Sequence, residues 1–363
     1  MQQNTMTPSV MPAGHEWTVT VGLDVGDRYS HFYVVDTEGR RVEDGRVATT
    51  PDVIERWCRV MLRARIIVES STHSPWISRI VQAWGHEVIV ANARRLQLIA
   101  QNDSKSDQVD AELLARLGRV DPQLLAPIRH RGADTQVDLA RVRTRDALVR
   151  ARTLLVNHVR GSTKAVGGRL PKCSTESFPT HAAVALPAVL APQLTPVLEE
   201  ITALTTRIRQ SNRAIEELVA TTYPEAQALT QIAGVGALTA LCFVLTLEDP
   251  ARFPTSRAVG SYLGLRPRKR ASSATDPECH ITKAGDALLR RLLIGSAHYI
   301  LGPFGPDTDL RRWGLALAAR GRKAAKKRAV VAVARKLAVL LHHLWRTQER
   351  YTPCRRPAAA VAA

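Results

Sequence analysis

The chain has 363 residues, 45% of them hydrophobic, with 51 Lys and Arg against 33 Asp and Glu and a formal net charge of +18. That length holds two or three domains with real cores, and the charge points to a polyanion, DNA or RNA, more than to a membrane. No apolar run is long enough to span a bilayer, and the five cysteines (Cys58, Cys173, Cys242, Cys279, Cys354) lack metal-type spacing, which reads as reduced thiols in a cytoplasm.

The opening residues, 1–15, lack a signal-type apolar core and read as a disordered lead-in. From about Trp17 to Val120 the pattern is α/β. VTVGLDVG is a strand, SHFYVVD a second and RVEDGRVATT a third, with turn chemistry between them. Pro51 opens a helix, as proline suits a first turn. RIIVE is a short buried strand, and a helix follows from about Ser74 to Trp84. HEVIVAN is the next strand, and Ser106 or Asp107 caps the helix after it.

This front half carries four acids. Asp24 lies inside an apolar strand, Glu69 ends another, and Asp107 and Asp110 share a helix face three residues apart. An unpaired carboxylate is costly in an apolar strand, and a hard divalent cation removes that cost. Each acid alone has a plainer reading: a turn residue, a strand end, a helix cap. Together, in a basic chain, they suggest a two-cation site acting on a phosphodiester.

From about Asp134 to Val166 the chain reads as an arginine-rich helix, followed by a Gly/Pro-containing connection to about Pro192. Leu194, Val197, Ile201, Leu204, Ile208, Ser211, Ile215 and Leu218 then follow 3-4 spacing, a heptad seam. The two helices suggest an antiparallel hairpin or a dimerising coiled coil, and an ordinary bundle helix fits as well.

After Tyr223-Pro224 the chain is mostly helical. Gly234-Val235-Gly236 between two helical segments resembles a helix-hairpin-helix turn, whose N–H groups can approach phosphate, or is simply a tight turn. The loop GLRPRKRASSATDPECHITKAGD sets Ser272 and Ser273 among Arg266, Arg268, Lys269, Arg270 and Lys283, with Arg290 and Arg291 following. Guanidinium forks could hold a phosphate there; a solvated basic loop is the plainer reading. Between Arg311 and Arg356 stand fourteen basic residues and one acid, Glu349, with Lys326 and Lys327 on the last helix.

VGLDVG, IVES and KSDQVDAELLA resemble the DEDD domain of the insertion sequence 110 family of transposases, which includes Piv/MooV-type invertases. IAGVGALTA, FPTSRAVGSYLGLRP, ITKAGDALLRRLL and the basic final helix resemble that family's C-terminal transposase domain, in the same order. The resemblance implies a RuvC-like (RNase H-like) α/β domain over 16–125, a helical coiled-coil region over 126–225, a mostly α-helical transposase domain over 226–352 and a tail over 353–363.

It also implies chemistry. Asp24, Glu69, Asp107 and Asp110 would hold Mg²⁺, two ions with Mn²⁺ as a substitute, and a C-terminal serine would attack the scissile phosphate and form a phosphoserine link. A bridge RNA would pair with donor and target DNA, and dimers would join into tetramers in the bacterial cytoplasm, on the nucleoid. Gly264-Leu265-Arg266-Pro267 and Ile281-Thr282-Lys283-Ala284-Gly285 match the family's flanks, and counting from Pro267 gives Ser272 as nucleophile. Ser273 and Ala274 follow where the family has glycine, so Ser273 is an alternative. Ser70-Ser71 replaces the family's Thr-Gly after Glu69. Gly234, Gly236, Arg268, Lys269, Arg270, Lys283, Arg290, Lys326 and Lys327 are expected to bind nucleic acid. A junction nuclease using water, or a non-catalytic nucleic-acid-binding protein, are the competing readings.

Overall fold

In the computed structural model, which describes residues 17–93, 106–268, 280–321 and 323–354, the strands of the front half form one five-stranded sheet. The strands are β1 (Val19–Val25), β2 (Tyr29–Asp36), β3 (Arg41–Ala48), β4 (Arg65–Glu69) and β5 (Glu87–Ala91), in the order β3-β2-β1-β4-β5. The first three make an antiparallel meander, while β1, β4 and β5 run parallel. The chain divides into two compact units, Met1–Arg131 and Gly132–Ala363.

Strand alternation decides which side of the sheet each residue serves. Val21 and Leu23 of β1 and Ile66 and Val68 of β4 pack with Ile54 and Cys58 of α1 (Pro51–Val60) and Ile77 and Val81 of α2 (Ser74–Ala83). The intervening residues face α3 (Asp107–Val120), which buries Ala111, Leu114 and Ala115 against Tyr33, Val35, Ile67 and Ile89. The sheet is therefore covered on both faces. Truncating a fully buried residue such as Ile67 to alanine costs about 2–5 kcal/mol at such a site.

Gly22 sets how closely α3 approaches. A Cβ there would lie 2.0 Å from the Ala111 carbonyl oxygen and 2.5 Å from the Ala115 nitrogen. On the helix side, Gly118 plays the matching part, since its Cβ would lie 2.2 Å from the Ile67 side chain. Glycine on strand and helix thus lets the two backbones lie almost in contact.

In the second unit, α4 (Ala133–Ala165) and α6 (Ala191–Thr221) form an antiparallel hairpin, with α5 (Phe178–Ala185) in the connection between them. Arg145 Nε donates to Asn212 Oδ1 at 2.9 Å and Arg152 to Thr205 Oγ1 at 3.2 Å, a heptad apart on each helix. The buried seam of α6 departs from the strict heptad: Leu198 and Val219 face inward more fully than Val197 and Leu218. A straight helix of 3.6 residues per turn drifts away from a 3.5-residue repeat, which accounts for the shift.

The helices that follow are α7 (Pro224–Leu229), α8 (Ala237–Leu247), α9 (Ser256–Tyr262), α10 (Ala287–Leu301), α11 (Asp309–Ala319) and α12 (Lys323–Thr347). They surround α8, whose residues from Thr239 to Leu247 are all buried. Val142 and Ile215, at the base of the hairpin, belong to this same core. Among the described residues no single helix is long and apolar enough to cross a membrane.

Candidate active site

Parallel pairing of β1 with β4 runs Gly22 to Ile67 and Leu23 to Val68. Asp24 and Glu69 follow directly, at neighbouring strand ends. Both lie two residues beyond a residue that touches α3, Gly22 and Ile67 respectively, so both belong to the α3 face. Each is half-buried.

The helix runs antiparallel to these strands. Its late residue Gly118 accepts a hydrogen bond from Arg65 at the start of β4, so its first turn lies toward the strand ends. That turn carries Asp107 and Asp110. Ser106 caps it, its hydroxyl accepting from the Val109 N–H at 3.3 Å. Asp110 is half-buried and Asp107 exposed.

A histidine that the sequence reading did not select completes this corner. His31 is the register partner of Asp24 on β2 and faces the same side. Its Nδ1 stands 3.4 Å from Asp107 Oδ2, outside hydrogen-bond geometry, and is otherwise buried without a partner. The alternation of SHFYVVD could have indicated its face; its pairing with Asp107 needed the fold.

Carboxylate oxygens are the donors that a hard divalent cation takes, and four of them occupy one end of one face. The donor chemistry fits such an ion. Among the described residues, no three His, Cys, Asp or Glu groups close on a common point.

In the second unit, Ser272, Ser273, Lys269 and Arg270 lie outside the described residues. The segments on either side, 264–268 and 280–285, are described. Pro267 and Ile281 form an antiparallel bridge, flanked by hydrogen bonds from Arg268 N to the His280 carbonyl and from Thr282 N to the Arg266 carbonyl. Gly264 and Gly285 have φ of +66° and +69°. Their Cβ atoms would fall 2.3 Å from the Ala284 nitrogen and 2.2 Å from the Tyr262 oxygen, so the matched glycines let the two stems cross.

Arg290 is committed to this junction. Its guanidinium donates to the carbonyls of Leu263 and Ala284, one on each stem. Arg268, Lys283, Lys326 and Lys327 are exposed. Gly234 turns at φ +90° beside Tyr299, and Gly236 stands at the N-cap of α8 with no atom within 4 Å of where a Cβ would lie. Together with Arg291, Ser296 and Tyr299 they line a groove of about 510 Å³.

Two family models match the chain. A DEDD transposase model of the IS110 type covers residues 21–165, and a model described as transposase, IS116/IS110/IS902 family, covers residues 226–306. The transposase for insertion sequence element IS1111A of Coxiella burnetii is 30% identical over 68% of this chain and 68% of its own length. The chain belongs to the IS110 family of transposases. A further relative, the transposase for insertion sequence element IS1328 of Yersinia enterocolitica, is 26% identical over 76% of this chain and 82% of its own.

Membership in the IS110 family makes the chain a DNA-acting enzyme that cuts and rejoins strands, and the family's DEDD designation points to dependence on a divalent metal. The first match spans all four acids, and the second contains both serine-loop stems and the Gly234–Gly236 turn.

Proposed function

We propose that this IS110 transposase cuts and rejoins DNA under the direction of a bridge RNA, using Asp24, Glu69, Asp107 and Asp110 as cation ligands and Ser272 as nucleophile. The observation that carries this reading is the placement of Asp24 and Glu69 at adjacent strand ends under the first turn of α3, which bears the other two acids. A mixed sheet with three antiparallel strands leading into parallel ones is compatible with a RuvC-like domain.

Mg²⁺ suits these oxygen donors, with Mn²⁺ as a substitute; a bound pair would polarise the phosphate and stabilise the leaving 3′ oxygen. The chain's own part is nucleophilic. Ser272 Oγ bonds to phosphorus as the bond to the 3′ oxygen breaks; the serine proton passes to solvent, and the 3′ oxygen leaves as a hydroxyl. The phosphoserine link keeps the bond energy needed for rejoining. Ser273 is the neighbouring alternative. The bridged stems around Pro267 and Ile281, pinned by Arg290, give the serine loop fixed ends.

Exposed Arg268, Lys283, Lys326 and Lys327, with Lys269 and Arg270, track phosphates, and the Gly234–Gly236 turn offers backbone N–H groups to one. Base pairing with the RNA chooses donor and target, while the protein reads backbone shape. The α4–α6 hairpin serves assembly into dimers and tetramers, on the nucleoid in the cytoplasm.

The test is a protein–DNA adduct. Full-length protein with its co-purified RNA, donor and target DNA and Mg²⁺ should give a covalent species on a denaturing gel. Ser272→Ala should abolish it while DNA binding survives. An adduct lost only in Ser273→Ala moves the nucleophile by one residue. Cleavage with no adduct would contradict the serine mechanism and favour water.

A further inference from the structure

Phe304 is the most exposed aromatic side chain among the described residues, at 83%. It stands at the apex of Gly302-Pro303-Phe304-Gly305-Pro306, the turn between α10 and α11. A phenylalanine left in water forgoes the burial its area would otherwise provide. A single exposed apolar residue on a loose loop needs no explanation; this turn is tightly built.

Four features fix it. Gly302 N donates to the Tyr299 carbonyl and Gly305 N to the Gly302 carbonyl. Arg311 reaches up from α11 and donates to the carbonyls of Ile300 and Gly302. Gly305 lies so close to the chain that a Cβ would fall 2.2 Å from the Ile300 oxygen. Pro303 and Pro306 fix φ on either side of the apex. Below the turn, Thr308 caps α11 through the Arg311 N–H. The backbone that bears the ring is thus held, and little backbone freedom is left to lose on binding.

Its surroundings suit nucleic acid. The turn packs beside the Gly234–Gly236 segment: Ile232, Ala233, Pro306 and Thr308 line one small cavity. Tyr299, 46% exposed, belongs to the adjoining groove with Gly234 and Gly236. The acid nearest the apex in sequence, Asp307, is held by the Arg312 fork through Nε at 2.9 and 3.0 Å, and this pairing lowers its pKa. From Arg311 to Arg356 the sequence carries fourteen basic residues against one acid.

We propose that Phe304 is a stacking platform for an unpaired base of the DNA substrate, exposed where strands separate for exchange, with the Gly234–Gly236 groove taking the backbone beside it. An exposed aromatic beside a groove lined by glycines and Arg291 is an arrangement that can hold a single strand, and stacking is indifferent to base identity because every base has a π-face. The inference rests on the chain acting on DNA and is independent of which serine attacks.

The experiment measures binding, so it can fail while adduct formation stands, and the reverse. Full-length wild type, Phe304→Ala, Phe304→Leu and Phe304→Trp are titrated with a single-stranded DNA oligonucleotide containing 2-aminopurine, a duplex DNA and an RNA oligonucleotide at one salt concentration. Removing a stacking ring costs about tenfold in single-strand affinity. Phe304→Ala and Phe304→Leu should both show that loss with duplex binding unchanged. Phe304→Trp should retain affinity, and its indole emission should be quenched by the DNA. Wild-type affinity in Phe304→Ala overturns the proposal. Full affinity in Phe304→Leu means an apolar plug and overturns stacking. A loss confined to the RNA oligonucleotide overturns the assignment to DNA, and a shift in oligomeric state with DNA affinity unchanged assigns the ring to a protein contact instead.

Discussion

Asp24 on β1 and His31 on β2 are register partners on the α3 face, and His31 brings its ring to 3.4 Å from Asp107 at the start of the helix. The imidazole thus stands between a strand acid and a helix acid that are 83 residues apart in sequence. In the proposed cation site Asp107 is a ligand, and a neighbouring group acts by orienting it; losing such support costs about 10–100-fold in metal affinity or activity. His31→Ala should therefore lower Mg²⁺-dependent strand cleavage by about tenfold or more, with DNA affinity unchanged. Raising Mg²⁺ should recover part of the loss. Unchanged cleavage at limiting Mg²⁺ would show that Asp107 needs no such support.

Gly22 is predicted to be intolerant of even one methyl group. The neighbours that a Cβ would meet are backbone atoms of α3, which cannot rotate away. Overpacking of this kind costs about 1–3 kcal/mol. Gly22→Ala should lower the thermal midpoint of the N-terminal unit and displace α3, reducing cleavage beyond what the stability loss explains. A variant with wild-type midpoint and activity would contradict the packing described.

The serine-loop base is fastened to the hairpin of its own unit by two ion pairs, Arg143 to Asp286 at 3.2 Å and Arg291 to Asp146 at 2.6 Å. The arginines are largely exposed, so each pair is worth less than about 1 kcal/mol and weakens with salt. Asp286 has a second duty as the cap of α10, accepting from the Leu289 N–H at 2.8 Å. Asp286→Ala should thus destabilise by about 1–2 kcal/mol, more than Arg143→Ala. Their double-mutant cycle in thermal unfolding should give a coupling that shrinks at high salt.

His342 gives the second unit a pH dependence. It is fully buried, with Nδ1 2.9 Å from Ser256 Oγ and Nε2 3.0 Å from the Pro250 carbonyl. A carbonyl only accepts, so Nε2 carries a proton, and in the neutral ring the Ser256 hydroxyl donates to Nδ1. Burial holds its pKa below the ordinary 6.5, with Arg346 and His343 adding to the effect and the bond to Pro250 opposing it. The unfolded chain therefore takes up the proton first, and stability falls as pH drops from about 6.5 toward the lowered folded value. His342→Gln should flatten that decline in a pH series of thermal midpoints.

Much of the front half was legible because its physics is local. Alternating apolar residues fixed the strands, Pro51 and Ser106 marked helix starts, and carboxylates in apolar runs stood out as costly. What stayed hidden depends on contacts between distant segments. His31 gains meaning only when β2 lies against β1 and α3 crosses above. Arg290 read as one more cation in a basic loop, yet it ties the carbonyls of Leu263 and Ala284 together. The inward turn of Leu198 and Val219 reflects helical drift that a strict heptad count ignores. Phe304 carried no periodic signal at all.

The central claim is that Asp24, Glu69, Asp107 and Asp110 serve one cation site. Replacing Mg²⁺ with Fe²⁺ in the DNA-loaded protein and adding ascorbate and peroxide generates radicals at the ion, which cut the nearby backbone. Mapping the fragments should show cuts around Asp24, Glu69 and Asp107–Asp110 together, all suppressed by excess Mg²⁺ and all lost in Asp24→Ala. Cuts at one of these segments alone, or at none, would contradict the account.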